Sequence, residues 1–294
     1  MRARLYVGLK REGKWFRYAE IEKVRGGGLA VLDGPDKTGA SRILNLVKAS
    51  TLKLYNEADE EYLLKEPDYM KITVADSWKI AKEALKIMNN VEALIFPEFF
   101  YCPVCSSLGR EKYTEVNEDW DELVEKGFID EIFIEDDQDA DYWVDLPVGI
   151  TVPTMRNGMG GTYHRIKREH ITLGDMIRIQ KNNWAQESEA NMICSVWDAT
   201  IVEIDGMPQR EFTMFVKRNS QDSFTKNYLT EQEDFDAMEK ADQDNTVGLQ
   251  ADYRFVSCKH CHSDIGGSLD FTNFFQSLLS MKSSQKGIQK RSRR

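Results

Sequence analysis

The alternation of apolar and polar residues predicts strands in the first part of the chain. Residues 5–9 and 15–24 fit two short strands joined by a turn at 11–14, because successive side chains of a strand point to opposite faces. Another strand is expected at 29–32, after the three glycines at 26–28. The N-terminus is therefore predicted to be a small β-rich unit.

Helical spacing of apolar residues predicts helices from residue 76 onward. Residues 76–90 are the clearest case, since Trp78, Ala81, Leu85 and Met88 recur every three or four positions. Further helices are predicted at 117–126 with Asn117 as cap, from Thr172 onward, and at 188–201, 230–238 and 270–281. Thr172 with Asp175, and Thr230 with Glu233, have the spacing of capping boxes.

The remaining pattern predicts strands at 128–134, 142–146 and 249–256, and a glycine-rich loop at 156–161. We detect no internal repeat in the sequence apart from two cysteine pairs.

Four of the five cysteines form two C-x-x-C pairs, Cys102 with Cys105 and Cys258 with Cys261. Each pair can bind one ion through two thiolates of a single turn, and two pairs supply the four ligands of a tetrahedral zinc site. The pairs are unusually far apart, because 152 residues separate Cys105 from Cys258. A shared ion would therefore join two remote parts of the chain.

A structural zinc ion is the favoured interpretation, because four thiolates leave no open coordination position. An iron–sulfur cluster is also compatible with four cysteines, and unmetallated or redox-active thiols are a further alternative. His260 and His262 flank Cys261 and could replace a thiolate, although a place on the surface of the knuckle is favoured. Cys194 lies among apolar residues and is expected to be a buried thiol.

Together these features predict an α+β fold, in which a small β-rich metal-knuckle platform carries an inserted helical block. Five consecutive segments are expected. They are a β-rich segment (1–74), an α/β segment with the first cysteine pair (75–164), the helical block (165–243), a segment with a strand, the second pair and a helix (244–281), and a basic disordered tail (282–294).

Composition narrows the classes of function. The chain has 294 residues, of which 41% are hydrophobic, so it can build a core. The formal net charge of −10 argues against a general affinity for nucleic acid. The basic stretch 282–294 is interpreted as a solubilising tail, with an arm for nucleic acid or an acidic partner as the alternative. With no apolar signal core and no run of roughly 20 apolar residues, a soluble protein without a membrane span is expected.

Motifs of catalysis are missing from the sequence. Residues 28–38 differ from a phosphate-binding loop, because five residues separate Gly28 from Gly34 and Lys37 comes three places later. The chain has 49 acidic residues, so two carboxylates that are close in sequence do not indicate a catalytic pair. His164 and His170 are expected in a polar loop without a nucleophile. We therefore predict that the protein is not an enzyme.

The second half of the chain carries an ordered set of short motifs between residues 140 and 275. A strand ends in Leu-Pro-Val-Gly at 146–149, an acidic turn is expected at 234–236, and an apolar-alternating stretch at 265–271 follows Cys258 and Cys261. In this order the chain resembles the baseplate hub subunits of contractile-tailed, T-even-type bacteriophages, in which Cys258 and Cys261 match the family's knuckle residues.

The resemblance implies a structural component or assembly factor of the phage tail tip, located in the virion and made in the host cytoplasm. Other hub and spike proteins are the implied partners, in a symmetric hetero-oligomer. The alternative is a zinc-ribbon protein that binds nucleic acid or has a regulatory role. It is disfavoured by the acidic balance and by the absence of Lys or Arg beside Cys102 and Cys105. A metal- or thiol-dependent enzyme is the third hypothesis.

Overall fold

The computed structural model describes residues 1–24, 39–89, 95–109, 113–127, 129–135, 138–152, 160–207, 223–251 and 257–263. Several predicted features lie outside these ranges, namely the strand at 29–32, the whole tract at 28–38, most of the loop at 156–161, the helix at 270–281 and the tail at 282–294.

The elements up to residue 132 are β1 (Arg2–Arg11), β2 (Lys14–Ile21), α1 (Gly39–Ser50), β3 (Thr51–Tyr55), β4 (Glu61–Leu63), α2 (Glu66–Tyr69), α3 (Val74–Asn89), β5 (Ile95–Tyr101), α4 (Pro103–Ser107), β6 (Tyr113–Asp119), α5 (Trp120–Glu125) and β7 (Ile129–Ile132). Those that follow are β8 (Asp141–Val152), β9 (Gly161–Glu169), α6 (Leu173–Gln180), α7 (Glu189–Thr200), β10 (Ile201–Ile204), α8 (Phe224–Tyr228), α9 (Gln232–Asp244) and β11 (Gly248–Ala251).

The chain folds as two compact units, each built from two separate stretches. The first unit contains residues 1–84 and 132–248, and the second contains residues 85–131 and 249–294. This grouping differs from five consecutive segments, because the long stretch between the cysteine pairs folds with the N-terminal residues.

Two antiparallel sheets form the framework of the first unit. One has the strand order β1-β2-β3-β4, and the other has the order β10-β9-β8. In the second unit β5 pairs with β6, and β7 pairs with β11. Both units therefore contain helices and strands, and the predicted α+β class is confirmed.

The core of the second sheet packs around the indole of Trp197, which is 2% exposed. The ring contacts Phe235 at a centroid distance of 5.5 Å, and its Nε1 donates a hydrogen bond of 2.8 Å to Asp242. The buried cluster contains Val144, Leu146, Ile150, Val152, Ile166, Trp197, Ile201, Ile204, Met207, Phe224, Leu229 and Met238. Strands and helices contribute alike because each presents one apolar face inward.

Several sequence predictions of local structure are confirmed. The hairpin at 5–24 corresponds to β1 and β2, and the helix at 76–90 corresponds to α3. Thr172 and Asp175 form the predicted capping box at the start of α6. Ser188 caps α7, where its hydroxyl accepts a hydrogen bond from the backbone of Asn191.

Other local predictions are wrong, because pairing between distant residues overrides local preference. Asn117 lies in β6 opposite Pro97 and caps no helix; α5 begins at Trp120. The helix α9 is capped at Glu231 rather than at Thr230, and the side chain of its cap makes no hydrogen bond to the helix. Asp234 lies inside this helix instead of in an acidic turn.

The segment 165–243 is not purely helical, because β9 extends to Glu169 and β10 lies at 201–204. His164 is on β9 and not in a loop, and His170 directly follows that strand. Both strands belong to the sheet whose buried face packs against Trp197. Among the helices that the structure describes, none combines the length and the apolar character that crossing a lipid bilayer needs.

Candidate metal centre

The first cysteine pair lies at the start of the short helix α4 in the second unit. Cys102 is the N-cap with extended backbone angles, and Pro103 occupies the first helical position, where its missing N–H costs nothing. The backbone N–H of Cys105 donates to the Sγ of Cys102 over 3.4 Å. The helical turn therefore places both sulfurs on the same side of the knuckle.

The second pair lies in a tight turn between Ser257 and Ser263. The N–H of His262 donates to the carbonyl of Cys258 over 2.8 Å, and the N–H of Cys258 donates to the carbonyl of Ser263 over 2.9 Å. The N–H of His260 donates to the Sγ of Cys258 over 3.4 Å. These bonds close the turn and bring the sulfur of Cys261 next to that of Cys258.

The four sulfurs of the two pairs form one cluster, with every pair of sulfurs within 4.8 Å. Cys102 Sγ is 3.4 Å from Cys261 Sγ, and Cys105 Sγ is 3.9 Å from Cys258 Sγ. Four sulfurs bound at about 2.3 Å to a tetrahedral zinc ion lie about 3.8 Å apart, so the observed spacing suits such an ion. All four thiols are free, and both distances are far longer than a disulfide bond.

Burial and hydrogen bonds shift the pKa values of the clustered thiols in opposite directions. Cys102, Cys105 and Cys258 are buried, and Cys261 is half-buried. Burial, followed by the neighbouring thiols, raises the pKa of Cys105 to about 12. The N–H of His260 is the main cause that lowers the pKa of Cys258. Hydrogen bonds from the side chain and backbone of Ser263 lower the pKa of Cys261 to about 6.

This arrangement can hold a soft divalent cation. The pKa values of Cys258 and Cys261 are lowered, and a bound cation would also stabilise the thiolate of Cys105, which burial and the neighbouring thiols disfavour. Because all sulfurs lie within 4.8 Å of one another, they fit around one metal atom. Cluster cofactors divide their cysteine ligands among several iron atoms, which requires a wider arrangement. The four predicted ligands are thus brought together and could bind a metal ion such as zinc.

The two histidines of the second knuckle do not belong to this group. His260 and His262 are both exposed, and His262 has a left-handed backbone with φ of 58°. Among the residues that the structure describes, the four cysteines are the one set of three or more Cys, His, Asp or Glu side chains able to share an ion. Cys194 is buried on α7 in the first unit, as predicted for a core thiol.

We expect the double variant His260→Ala, His262→Ala to keep its full metal content, because both residues are exposed and neither belongs to the four-sulfur cluster. Elemental analysis after gel filtration would check this result. The variant His262→Gly should be at least as stable as the natural protein, since glycine adopts the left-handed conformation without a steric cost. Loss of metal from the double variant would show that a histidine is a ligand.

Ser263 is a residue of the centre that the sequence pattern did not indicate. Its hydroxyl lies 3.3 Å from the Sγ of Cys261, and its carbonyl anchors Cys258. A polar residue two positions after the last cysteine is the available signal, because polar neighbours of a metal ligand commonly hydrogen-bond to it and orient it.

A cavity of about 540 Å³ in the first unit contains several charged side chains. Three of its cations are already paired with carboxylates: Lys10 with Asp139, Arg11 with Asp68, and Arg178 with Asp175. Because three of the four Lys and Arg side chains that line the cavity are engaged in these pairs, we assign no ligand to it. The absence of enzymatic activity stays a prediction.

The cysteine cluster is therefore the candidate site that the fold supports best. Its ligands come from two stretches of the second unit that are distant in sequence, and its geometry suits a single ion. The function has to be inferred from these residues and from the sequence motifs, because no family model, no curated protein and no solved structure matches this chain.

Proposed function

We propose that the protein is a structural component or assembly factor of a phage contractile-tail baseplate hub, held in shape by one zinc ion. The observation that carries the proposal is the convergence of Cys102, Cys105, Cys258 and Cys261 within 4.8 Å. A fully thiolate-ligated ion has no open position for a substrate. Its effect is to fix the fold of the stretches that supply its ligands.

A bound metal ion would stabilise the second unit, which has few paired strands of its own. Its described strands form two sheets of two strands each, and isolated two-stranded sheets are marginally stable in water. A structural zinc ion contributes folding free energy directly, since the unfolded chain has no preformed site. The ion would therefore keep this unit rigid enough to present a constant surface to neighbouring subunits.

The assignment to a phage tail rests on the resemblance of the second half of the chain to baseplate hub subunits. Its supporting residues are the Leu-Pro-Val-Gly stretch at 146–149 and the knuckle with Cys258 and Cys261. Under this proposal the partners are other hub and spike proteins, the assembly is a symmetric hetero-oligomer, and the location is the virion. The acidic net charge of −10 agrees with protein partners better than with nucleic acid.

The proposal is tested by isolating tail assemblies and hub intermediates from cells that produce the phage encoding this chain. We expect the protein to copurify with hub components, and the Cys102→Ser variant to be lost from these assemblies while Cys194→Ser is retained. Genes for tail tube, spike or tape-measure proteins beside its own gene are the expected genomic setting. Absence from both assemblies and intermediates would contradict the proposal.

The alternative of a zinc-dependent nucleic-acid-binding protein is separated by a gel-shift titration with DNA and RNA at low salt. Low salt favours phosphate contacts, because counterion release drives such binding. We expect no complex under these conditions. A complex that weakens steeply as salt increases would favour the alternative and remove the structural role.

A further inference from the structure

We infer that the first unit contains two copies of one ββαβα module, related by an internal duplication. The first copy consists of β1, β2, α1, β3 and α3, and the second consists of β8, β9, α7, β10 and α9. The inference does not depend on the proposed function, because it rests on strand register, bulges and hydrogen bonds and not on the cysteine cluster or on the resemblance to hub subunits. It corrects the expectation that the chain has no internal repeat beyond the cysteine pairs.

The two hairpins have the same register. In the first copy Ala3 is opposite Ala19 and Leu9 is opposite Phe16. In the second copy Val144 is opposite Ile166 and Ile150 is opposite Tyr163. Counting from these pairs, residue 8 corresponds to 149 and residue 19 corresponds to 166. The register shifts at equivalent places, between Arg4 and Leu9 and between Asp145 and Ile150.

The third strand and its preceding helix also correspond. The helices α1 and α7 both pass directly into the strand that follows them, β3 and β10. Each ends with a hydroxyl that donates to the carbonyl four residues earlier, Ser50 to Leu46 and Thr200 to Val196. Pairing with the central strand then skips one residue in both copies, Leu52 and Val202.

An aspartate holds the bulged strand in each copy. Asp76, the third residue of α3, accepts hydrogen bonds of 3.0 and 2.9 Å from the N–H groups of Val7 and Gly8. Asp234, the third residue of α9, accepts bonds of 2.9 and 3.0 Å from Val148 and Gly149. Both carboxylates are completely buried. A buried carboxylate is energetically costly unless it is hydrogen-bonded in this way. We call each aspartate with its two hydrogen bonds to the bulged strand a clamp.

The glycines at the two bulges are required for the same steric reason. Gly8 has φ of 87° and Gly149 has φ of 94°, which favours glycine over other residues. A Cβ atom would lie 2.7 Å from the carbonyl oxygen of Phe16 in the first copy. In the second copy it would lie 2.8 Å from that of Tyr163.

The surroundings of the bulges differ, which explains why the sequence hides the repeat. In the first copy Val7 is 2% exposed, and Arg17 donates hydrogen bonds to the carbonyls of Glu135 and Gln138. The equivalent Val148 is 45% exposed. His164, the counterpart of Arg17, is also exposed. Because different residues pack over the two bulges, equivalent positions do not need the same side chains.

Chance similarity of two ββαβα arrangements does not account for these details. A common fold requires the strand order, but it does not require bulges at the same positions, the same skipped residue after the helix or an aspartate at the same helical position. Bulges are kept within families as specific features rather than as defects. Two copies of an ancestral module explain all of these correspondences together.

The first test is an experimentally determined structure of the full chain. Superposition of the two hairpins is expected to bring Gly8 onto Gly149, and with the same rotation α3 and β3 should fall onto α9 and β10. Bulges at non-equivalent residues, or a different path of the last helix, would overturn the inference. This test needs no variant, so it decides the question even if an aspartate proves essential for folding.

The second test measures backbone amide exchange in the full-length variants Asp76→Asn and Asp234→Asn. Asparagine keeps one acceptor oxygen but removes the charge. Exchange at Val7 and Gly8 should increase about 10- to 100-fold in the first variant, and exchange at Val148 and Gly149 should increase equally in the second. The control is Asp236→Asn on the exposed side of α9, which should change neither pair. An effect at one clamp alone would contradict the equivalence of the copies.

Discussion

Replacement of Cys102 by serine is expected to release the metal ion and to unfold the second unit. A structural zinc ion contributes about 10–16 kcal/mol of apparent binding free energy at pH 7 in zinc-finger peptides, and loss of one of four ligands removes a large part of it. Cys102 is completely buried, so solvent does not readily replace its thiolate. Elemental analysis and thermal unfolding of the purified variant measure both effects.

Replacement of Cys258 by serine should give the same result, because its sulfur lies 3.9 Å from that of Cys105 in the same cluster. Cys194→Ser is the matched control, since this thiol is also buried but lies outside the cluster. The control should keep its metal. If only one of the two variants loses metal, the cysteine pairs do not share an ion.

Replacement of Gly8 by alanine is expected to destabilise the first unit by about 3 kcal/mol or more. A residue with a side chain in this left-handed conformation costs about 1–3 kcal/mol, and forced contacts in a packed interior add about 1–3 kcal/mol. The new Cβ would lie 2.7 Å from both the carbonyl oxygen of Phe16 and Cγ of Arg17. Chemical denaturation of the variant would measure the change in unfolding free energy.

The control for this prediction is Gly13→Ala in the turn of the same hairpin. Gly13 has a similar φ of 78°, but its added Cβ would meet no atom within 4 Å. It should therefore show only the conformational cost. Equal destabilisation by the two substitutions would mean that the close approach of β1 and β2 at the bulge carries no energetic weight.

The sequence was sufficient for features that depend on neighbouring residues. The hairpin of β1 and β2, the helix α3 and the capping box at Thr172 all follow from local periodicity and capping chemistry. The four cysteines of the candidate site were also predictable, because the C-x-x-C spacing is itself the local geometry of the site. The structure adds that two distant knuckles meet in one cluster.

Features that depend on distant residues were not predictable in this way. Asn117 looks like a helix cap, but pairing of β6 with β5 holds it in a strand. The helix α9 is capped at Glu231 and not at Thr230, and the carboxylate of Asp234 inside it accepts hydrogen bonds from two backbone N–H groups of β8. The duplication stayed hidden because its markers are a Val-Gly pair and one aspartate per copy, separated by tens of residues.

X-ray absorption spectroscopy combined with elemental analysis of the full-length protein tests the metal centre most directly. We predict one zinc ion per chain, surrounded by four sulfur atoms at about 2.3 Å, and no visible absorption from iron. Two zinc ions with two sulfur ligands each would show that the cysteine pairs bind separately. Iron, or a protein that folds with no metal bound, would likewise contradict a zinc ion held jointly by Cys102, Cys105, Cys258 and Cys261.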